Sequence, residues 1–273
     1  TARLNGLKST ILTFFPHRRM VLQQDTGLKL INTLDEKIEI LKGYGLDQLV
    51  VHPFTKEFSR LGAADYVREV LVDSLHAKKI IIGYDHRFGR NRSASIADLV
   101  EYGKTFNFDV EEISAEEIND VSISSTKIRK ALEQGDMQTA NLYLGYEFML
   151  TGTIAKGKGL GHQIGFPTAN LHIEETYKLI PKNGVYVVKS VFGGSNVFGM
   201  MNIGFNPTVN GTSKTIEIHF FNFDEDLYGQ KMQVRLLTRL RDEKKFNSLD
   251  DLKLQLVKDE QSASDFIRKN YAQ

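Results

Sequence analysis

A hydroxyl and an amide stand two residues apart near the end of GKGLGHQIGFPTANL (157–171): Thr168 and Asn170. Four glycines precede them, Gly157, Gly159, Gly161 and Gly165, followed at once by Phe166-Pro167. Glycine lets successive N–H groups cup an anion and lets a ligand approach without meeting a Cβ. Pro167 fixes its own φ and biases Phe166 toward extended geometry. In an extended segment Thr168 and Asn170 fall on one side. Their oxygens are neutral, hard ligands of the kind Mg²⁺ takes beside water. The stretch reads as a loop that wraps a phosphate and ends on fixed ligands. It is not a GxxxxGK[ST] phosphate loop, a spacing the sequence lacks. The same composition also fits a plain hairpin followed by a strand.

A second candidate is Glu217 in TIEIHFF (215–221). The segment alternates, with Ile216, Ile218 and Phe220 on one face and Thr215, Glu217 and His219 on the other. A carboxylate among uncharged neighbours is able to deprotonate a hydroxyl; a strand glutamate facing solvent is the ordinary alternative. His219 reads as a neighbour of such a site, not a ligand. A third candidate is SSTKIRKAL (124–132), where Ser124, Ser125 and Thr126 precede an apolar-periodic helix carrying Lys127 and Arg129. A helix start with hydroxyls and cations suits an anion, and it also suits an ordinary capped helix.

These groups need elements to hold them. Residues 9–15, 47–54, 78–85 and 108–113 read as strands, the first three built around apolar runs, and helical patterns at 34–45, 63–75 and 95–106 separate them. That alternation predicts a parallel sheet with helices on its faces, with ligands beyond the carboxyl ends of the strands, near Pro16-His17, His52-Pro53 and Tyr84-Asp85. After Tyr146 the pattern changes. The stretch FMLTGTIAKG and residues 184–192, 197–205, 215–223 and 231–240 read as short strands separated by turns. They predict a small antiparallel barrel, closed by a helix over 248–269 with Ser248 as its N-cap. The boundary is expected near 145–149, giving domains 1–146 and 147–273.

The totals narrow the classes. With 41% hydrophobic and 25% charged residues among 273, the chain is that of a globular protein. Lys and Arg number 35 against 34 Asp and Glu, so no global charge draws it to nucleic acid or membrane. Cysteine is absent, which excludes disulfides and thiolate chemistry. No apolar run reaches the roughly 18 residues of a membrane span. The expectation is a cytoplasmic chain that, starting at Thr1, lacks its natural start.

Taken in order, GKGLGHQIGFPTANL, NGVYVV (183–188), MNIGFNPT (201–208), TIEIHFFNFDEDLYG (215–229) and RLRDEKKFNSLDDLKLQLVKD (239–259) closely resemble the riboflavin kinase module. LTFFPH (12–17), TLDEKIEIL (33–41), HPFTKEFSRL (52–61), IIGYDHRFG (81–89) and ISSTKIRKAL (123–132) resemble the FMN adenylyltransferase module joined to it in bacterial bifunctional FAD synthetases. The resemblance covers essentially the whole chain. It implies an α/β Rossmann-like nucleotidyltransferase domain followed by the barrel kinase.

The resemblance also implies roles. Thr168 and Asn170 would bind Mg²⁺ and ATP phosphates, with the glycine loop folded over the nucleotide. Glu217 would activate the ribityl 5′-hydroxyl of riboflavin. Asp226, Tyr228, Arg241, Glu243 and Phe246, with the last helix, would border the flavin. In the first half, Ser124, Ser125, Thr126 and Arg129 would hold ATP phosphates, and Pro16, Asp85 and Phe88 the flavin side. The implied substrates and products are riboflavin, FMN, FAD, ATP and ADP. Three departures stand out: no HxGH motif occurs, Arg18 replaces the usual proline after PH, and His162 replaces an arginine. The expectation is that the HxGH segment, with the sheet's first and central strand, lies outside this sequence. The alternative is a kinase whose first half is only structural or docking. A flavin-binding regulator without catalysis is disfavoured, because it would not need Glu217.

Overall fold

The computed structural model describes residues 2–23, 27–113, 123–157, 160–208 and 211–271. The chain packs as two compact units. One comprises residues 1–28 and 40–122, the other 29–39 and 123–273.

In the first unit, β1 (Thr10–Phe15) pairs in parallel with β2 (Gln48–Pro53), and β3 (Lys79–Gly83) with β4 (Asp109–Ile113). Helix α1 (Arg18–Leu22) starts at His17, whose Nδ1 accepts the Arg19 N–H. A helix α3 runs as Ala63–Asp65 and continues, π-wound, as Tyr66–Ser74, and α4 spans Ile96–Phe106. Val67, Val70, Leu71, Phe88, Leu99 and Phe108 form this unit's core. Within each pair the strands are parallel. One expectation is corrected: they form two separate two-stranded ladders, not one sheet, and among the described residues no strand joins them. Ile11 in β1 and Ile81 in β3 are exposed.

The second unit is a closed six-stranded antiparallel barrel. Its strands are β5 (Met149–Ala155), β6 (Ala169–His172), β7 (Gly184–Phe192), β8 (Ser195–Thr208), β9 (Gly211–Phe220) and β10 (Lys231–Arg241), in the circular order β10-β5-β6-β9-β8-β7. Closure removes both edges of the sheet. Leu150, Ile154, Leu171, Tyr186, Val188, Met201, Ile203, Ile216, Ile218, Val234 and Leu236 fill the interior. Each fully buried aliphatic among them is worth about 2 kcal/mol. Helix α5 (Ser125–Gln134) adds Ile128, Ala131 and Leu132 to that core, and α6 (Met137–Leu144) adds Met137 and Ala140.

The last helix, α8 (Leu249–Tyr271), covers the outer face. Its Ala263, Phe266 and Ile267 pack on Val187 and Leu237. Ser248 caps it, accepting the Asp251 N–H at 3.1 Å. Arg241, at the end of β10, grips Asp259 of α8 through Nε and Nη2 at 2.6–3.0 Å.

Residues 29–39 also belong to this second unit. Leu30 pairs with Lys178, and the start of α2 (Leu34–Gly43) is capped reciprocally by Thr33 and Glu36. Packing thus partitions the chain differently from the sequence division at 146.

Candidate active site

The alternation at 215–221 is observed. Ile216, Ile218 and Phe220 face the barrel interior, which leaves Glu217 and His219 on the outer face. Ala169 and Leu171 likewise face the interior, so Asn170 lies on the outer face of β6. Register then joins residues far apart in sequence. Asn170 sits directly opposite Glu217, and Glu217 directly opposite Asn202 of β8. The row continues through Val185 of β7 to Arg241 of β10, and on its other side to Ala155 of β5. Directly opposed residues share a face, with Cβ atoms about 5 Å apart. Sequence reasoning missed Asn202. Its position inside MNIGFNPT is visible, but its place beside Glu217 appears only with the β8–β9 register.

The glycine loop rests on these groups. A Cβ on Gly157 would lie 2.0 Å from Asn170 Nδ2, so any other residue there would push the Asn170 amide aside. A Cβ on Gly161 would meet the Phe166 carbonyl at 2.2 Å and Thr168 Oγ1 at 3.4 Å. Between them a single helical turn, α7 (Leu160–Gln163), closes as the Phe166 N–H donates to the Gly161 carbonyl at 2.8 Å. Gly165 makes the turn at φ +86°. Gly159 lies outside the described residues.

His219 touches the PTAN stretch directly. Its Nδ1 is 2.8 Å from the Pro167 carbonyl, and its ring meets Phe166 edge-on at 5.2 Å.

The residues expected at the flavin fall into two groups. Asp226 and Tyr228 form a turn in which Asp226 Oδ1 accepts the Tyr228 N–H at 2.9 Å. Gly229 donates to the Ile154 carbonyl, which fixes that turn beside the start of the glycine loop. Lys156, next to Gly157, holds its ammonium 5.9 Å from the centre of the exposed Tyr228 ring. The other group lies at the end of β10. Glu243 accepts the Phe205 N–H and the Asn183 amide, both at 3.1 Å, and Arg241 lies over Phe246. The Arg241 guanidinium is largely engaged by Asp259.

In the first unit, rings gather at the carboxyl ends of β1 and β2. Phe14 and Phe58 lie 5.3 Å apart, each within 4.4–6.1 Å of His52 and Phe54, and the run continues through Tyr66 to Phe88 and His86. Pro16 and Asp85 are exposed, whereas Phe88 is buried in the core. Burial lowers the pKa of His86, helped by Arg92 and opposed by Asp85, so its ring is neutral near pH 7. Ser124 caps α5 by accepting the Lys127 N–H at 3.3 Å, and Arg129 donates to the Lys29 carbonyl. Ser124, Ser125, Thr126 and Arg129 belong by packing to the second unit.

A model of the riboflavin kinase family matches residues 144–267, and one of the FAD synthetase family matches residues 1–127. Three bifunctional riboflavin kinase/FMN adenylyltransferases are similar over most of their length. The protein from Listeria monocytogenes is 36% identical, covering 97% of this chain and 84% of its own. That from Haemophilus influenzae is 37% identical, covering 96% and 85%. That from Escherichia coli K12 is 33% identical, covering 97% and 84%. A solved structure from Streptococcus pneumoniae, described as a macrolide-efflux protein, is 30% identical with a TM-score of 0.85, covering 99% of this chain and 86% of its own. Among the described residues no helix is long and apolar enough to cross a membrane. The chain belongs to the bifunctional riboflavin kinase/FMN adenylyltransferase family.

Proposed function

We propose that the barrel unit phosphorylates riboflavin with ATP to give FMN, and that the N-terminal module, residues 1–146, adenylylates FMN to FAD. The observation that carries the kinase reading is the pairing of Glu217 with Asn170 across β6 and β9, with Gly157 close against the Asn170 amide. Glu217 takes the proton of the ribityl 5′-hydroxyl. The hydroxyl oxygen bonds to the γ-phosphorus, the bond to the β-phosphate oxygen breaks, and ADP leaves. Such a transfer is positioning and charge neutralisation, which a base, a cradle and fixed ligands provide.

Among the described residues no cluster of three or more His, Asp or Glu side chains suits a metal. The donors present are the neutral oxygens Thr168 Oγ1 and Asn170 Oδ1, a set that fits Mg²⁺ carrying waters and phosphate oxygens. Bound there, Mg²⁺ would neutralise phosphate charge. Asp226, Tyr228, Arg241, Glu243 and Phe246 would border the flavin. In the adenylyltransferase, Ser124, Ser125, Thr126 and Arg129 would hold phosphates and Pro16, Asp85 and Phe88 the flavin. The reading places both reactions in the cytoplasm.

The test is Glu217→Gln. FMN formation falls by about 10²–10⁴-fold while riboflavin still binds. Unchanged turnover refutes the assignment. FAD formation from FMN and ATP is assayed separately, and FMN without FAD from the full-length gene product would favour a first half that only supports the kinase.

A further inference from the structure

We propose that His219 is a positioning residue that clamps the Thr168 end of the ligand loop to the strand carrying Glu217. The inference rests on the kinase reading above. The β6–β9 ladder fixes Asn170 against Glu217 and Ala169 against Ile218. The next step of that register would set Thr168 opposite His219, but β6 begins at Ala169, and the residue before Thr168 is Pro167, which has no N–H. Thr168 therefore lies just past the last pair of the ladder that aligns Asn170.

The His219 side chain supplies the missing tie. Its Nδ1 lies 2.8 Å from the Pro167 carbonyl oxygen, the oxygen of the peptide that leads into Thr168. A carbonyl oxygen only accepts, so Nδ1 carries the proton and donates. The ring is held edge-on by Phe166 at 5.2 Å and Phe221 at 5.9 Å. Phe166 is itself buried with Val185 and Met200. One strand thus bears both the base and, two residues on, the group that orients the peptide before the other ligand.

The experiment uses the full chain with His219→Phe, His219→Asn, His219→Gln and Thr168→Ala. Two quantities are read: the Mg²⁺ concentration that half-saturates FMN formation, and the Mg²⁺ dependence of ADP binding by calorimetry without turnover. Thr168→Ala gives the ADP binding that does not come from this site. Phenylalanine keeps the ring contacts and removes the donor. It raises the half-saturating Mg²⁺ about five- to tenfold, the worth of one hydrogen bond, and weakens Mg²⁺-dependent ADP binding equally. Asparagine, whose amide nitrogen takes the place of Nδ1, stays within about twofold of the wild type. Glutamine, with its donor one methylene further out, behaves like phenylalanine and serves if that variant does not fold. A melting midpoint moved by only a few degrees separates positioning from a general loss of structure. Wild-type Mg²⁺ dependence in His219→Phe overturns the inference, as does equal impairment of the asparagine and phenylalanine variants. Wild-type Mg²⁺ dependence in Thr168→Ala overturns the site reading with it. A defect in Thr168→Ala beside a normal His219→Phe overturns the positioning role alone.

Discussion

Lys178 and Glu36 have side chains with no exposure at all, and they are paired. The Lys178 ammonium donates to Glu36 Oε2 at 2.5 Å and to the Ile31 carbonyl at 2.7 Å, and it lies 4.5 Å from the centre of the Phe148 ring. Glu36 Oε2 also accepts the Thr33 N–H at 2.9 Å, while Oε1 is buried without a partner. Burial pulls the Lys178 pKa down to about 8, against the opposing pull of Glu36. Removing one partner should therefore be expensive. In Lys178→Met a carboxylate stays buried without its cation. It escapes by taking up a proton, which for an ordinary glutamate at about pH 7.5 costs about 4 kcal/mol. That limit agrees with the roughly 3–5 kcal/mol expected for breaking a buried pair. Replacing both, in Lys178→Met with Glu36→Leu, removes the charges together and costs about 1 kcal/mol or less.

The assay is the temperature at which half the riboflavin phosphorylation is lost, because it reads the barrel unit without assuming that the whole chain unfolds in one step. For a unit of this size 1 kcal/mol moves the midpoint by about 2–4 °C. The single variant falls by about 10 °C and the double variant by only a few degrees. A double variant as labile as the two singles combined would refute the reasoning, since the charges would then not be coupled. So would a single variant that melts with the wild type.

Gly157→Ala drives a methyl into the Asn170 amide and should cut kcat/KM for riboflavin about 10²-fold, with the melting midpoint little changed. Arg241→Lys loses the two-pronged grip on Asp259, which is buried, and should cost about 2–3 kcal/mol in urea unfolding followed by helix signal. Hydrogen bonds from the Thr139 hydroxyl and N–H hold the Asp136 carboxyl below the usual carboxylate range. Its stabilising contribution is present above the unfolded-state pKa of about 3.9 and is lost as pH falls through the folded value. Asp136→Asn keeps the cap on α6 and should flatten that part of the acid-unfolding curve.

Much of this was legible in short stretches. TIEIHFF showed its two faces because a strand's period is two, and the barrel strands at 184–192 and 231–240 fall at Gly184–Phe192 and Lys231–Arg241. PTAN pointed to Thr168 and Asn170 chiefly through the family it resembles, since glycines and a proline alone fit a plain hairpin as well. What stayed hidden depends on pairing across the chain. The partner of Asn202 is fixed by the β8–β9 register, and that of His219 lies 52 residues away. Lys178 in ETYKLIP reads as a solvated lysine, since nothing local announces an acid 142 residues earlier.

The kinase family's match at 144–267 is narrower than the unit that contains it, which takes in residues 29–39 and with them the Glu36–Lys178 pair. Residues 29–39 lie along the barrel unit through bonds of several kinds. Leu30 exchanges backbone bonds with Tyr177 and Leu179, and Lys29 Nζ reaches the Thr176 carbonyl at 2.5 Å. Tyr146 donates to Asn32, Lys231 pairs with Asp35, and Gln233 bonds Glu39. The exposed pairs in that set contribute little each. The buried pair has the larger effect. Without 29–39, Lys178 would lose both its carbonyl and its counter-charge and would have to shed its proton or turn outward. Helix α2 starts on Glu36, inside this contact, so its N-terminal turn and the barrel's buried lysine share one carboxylate. The helix cap and the ion pair then form or fail together.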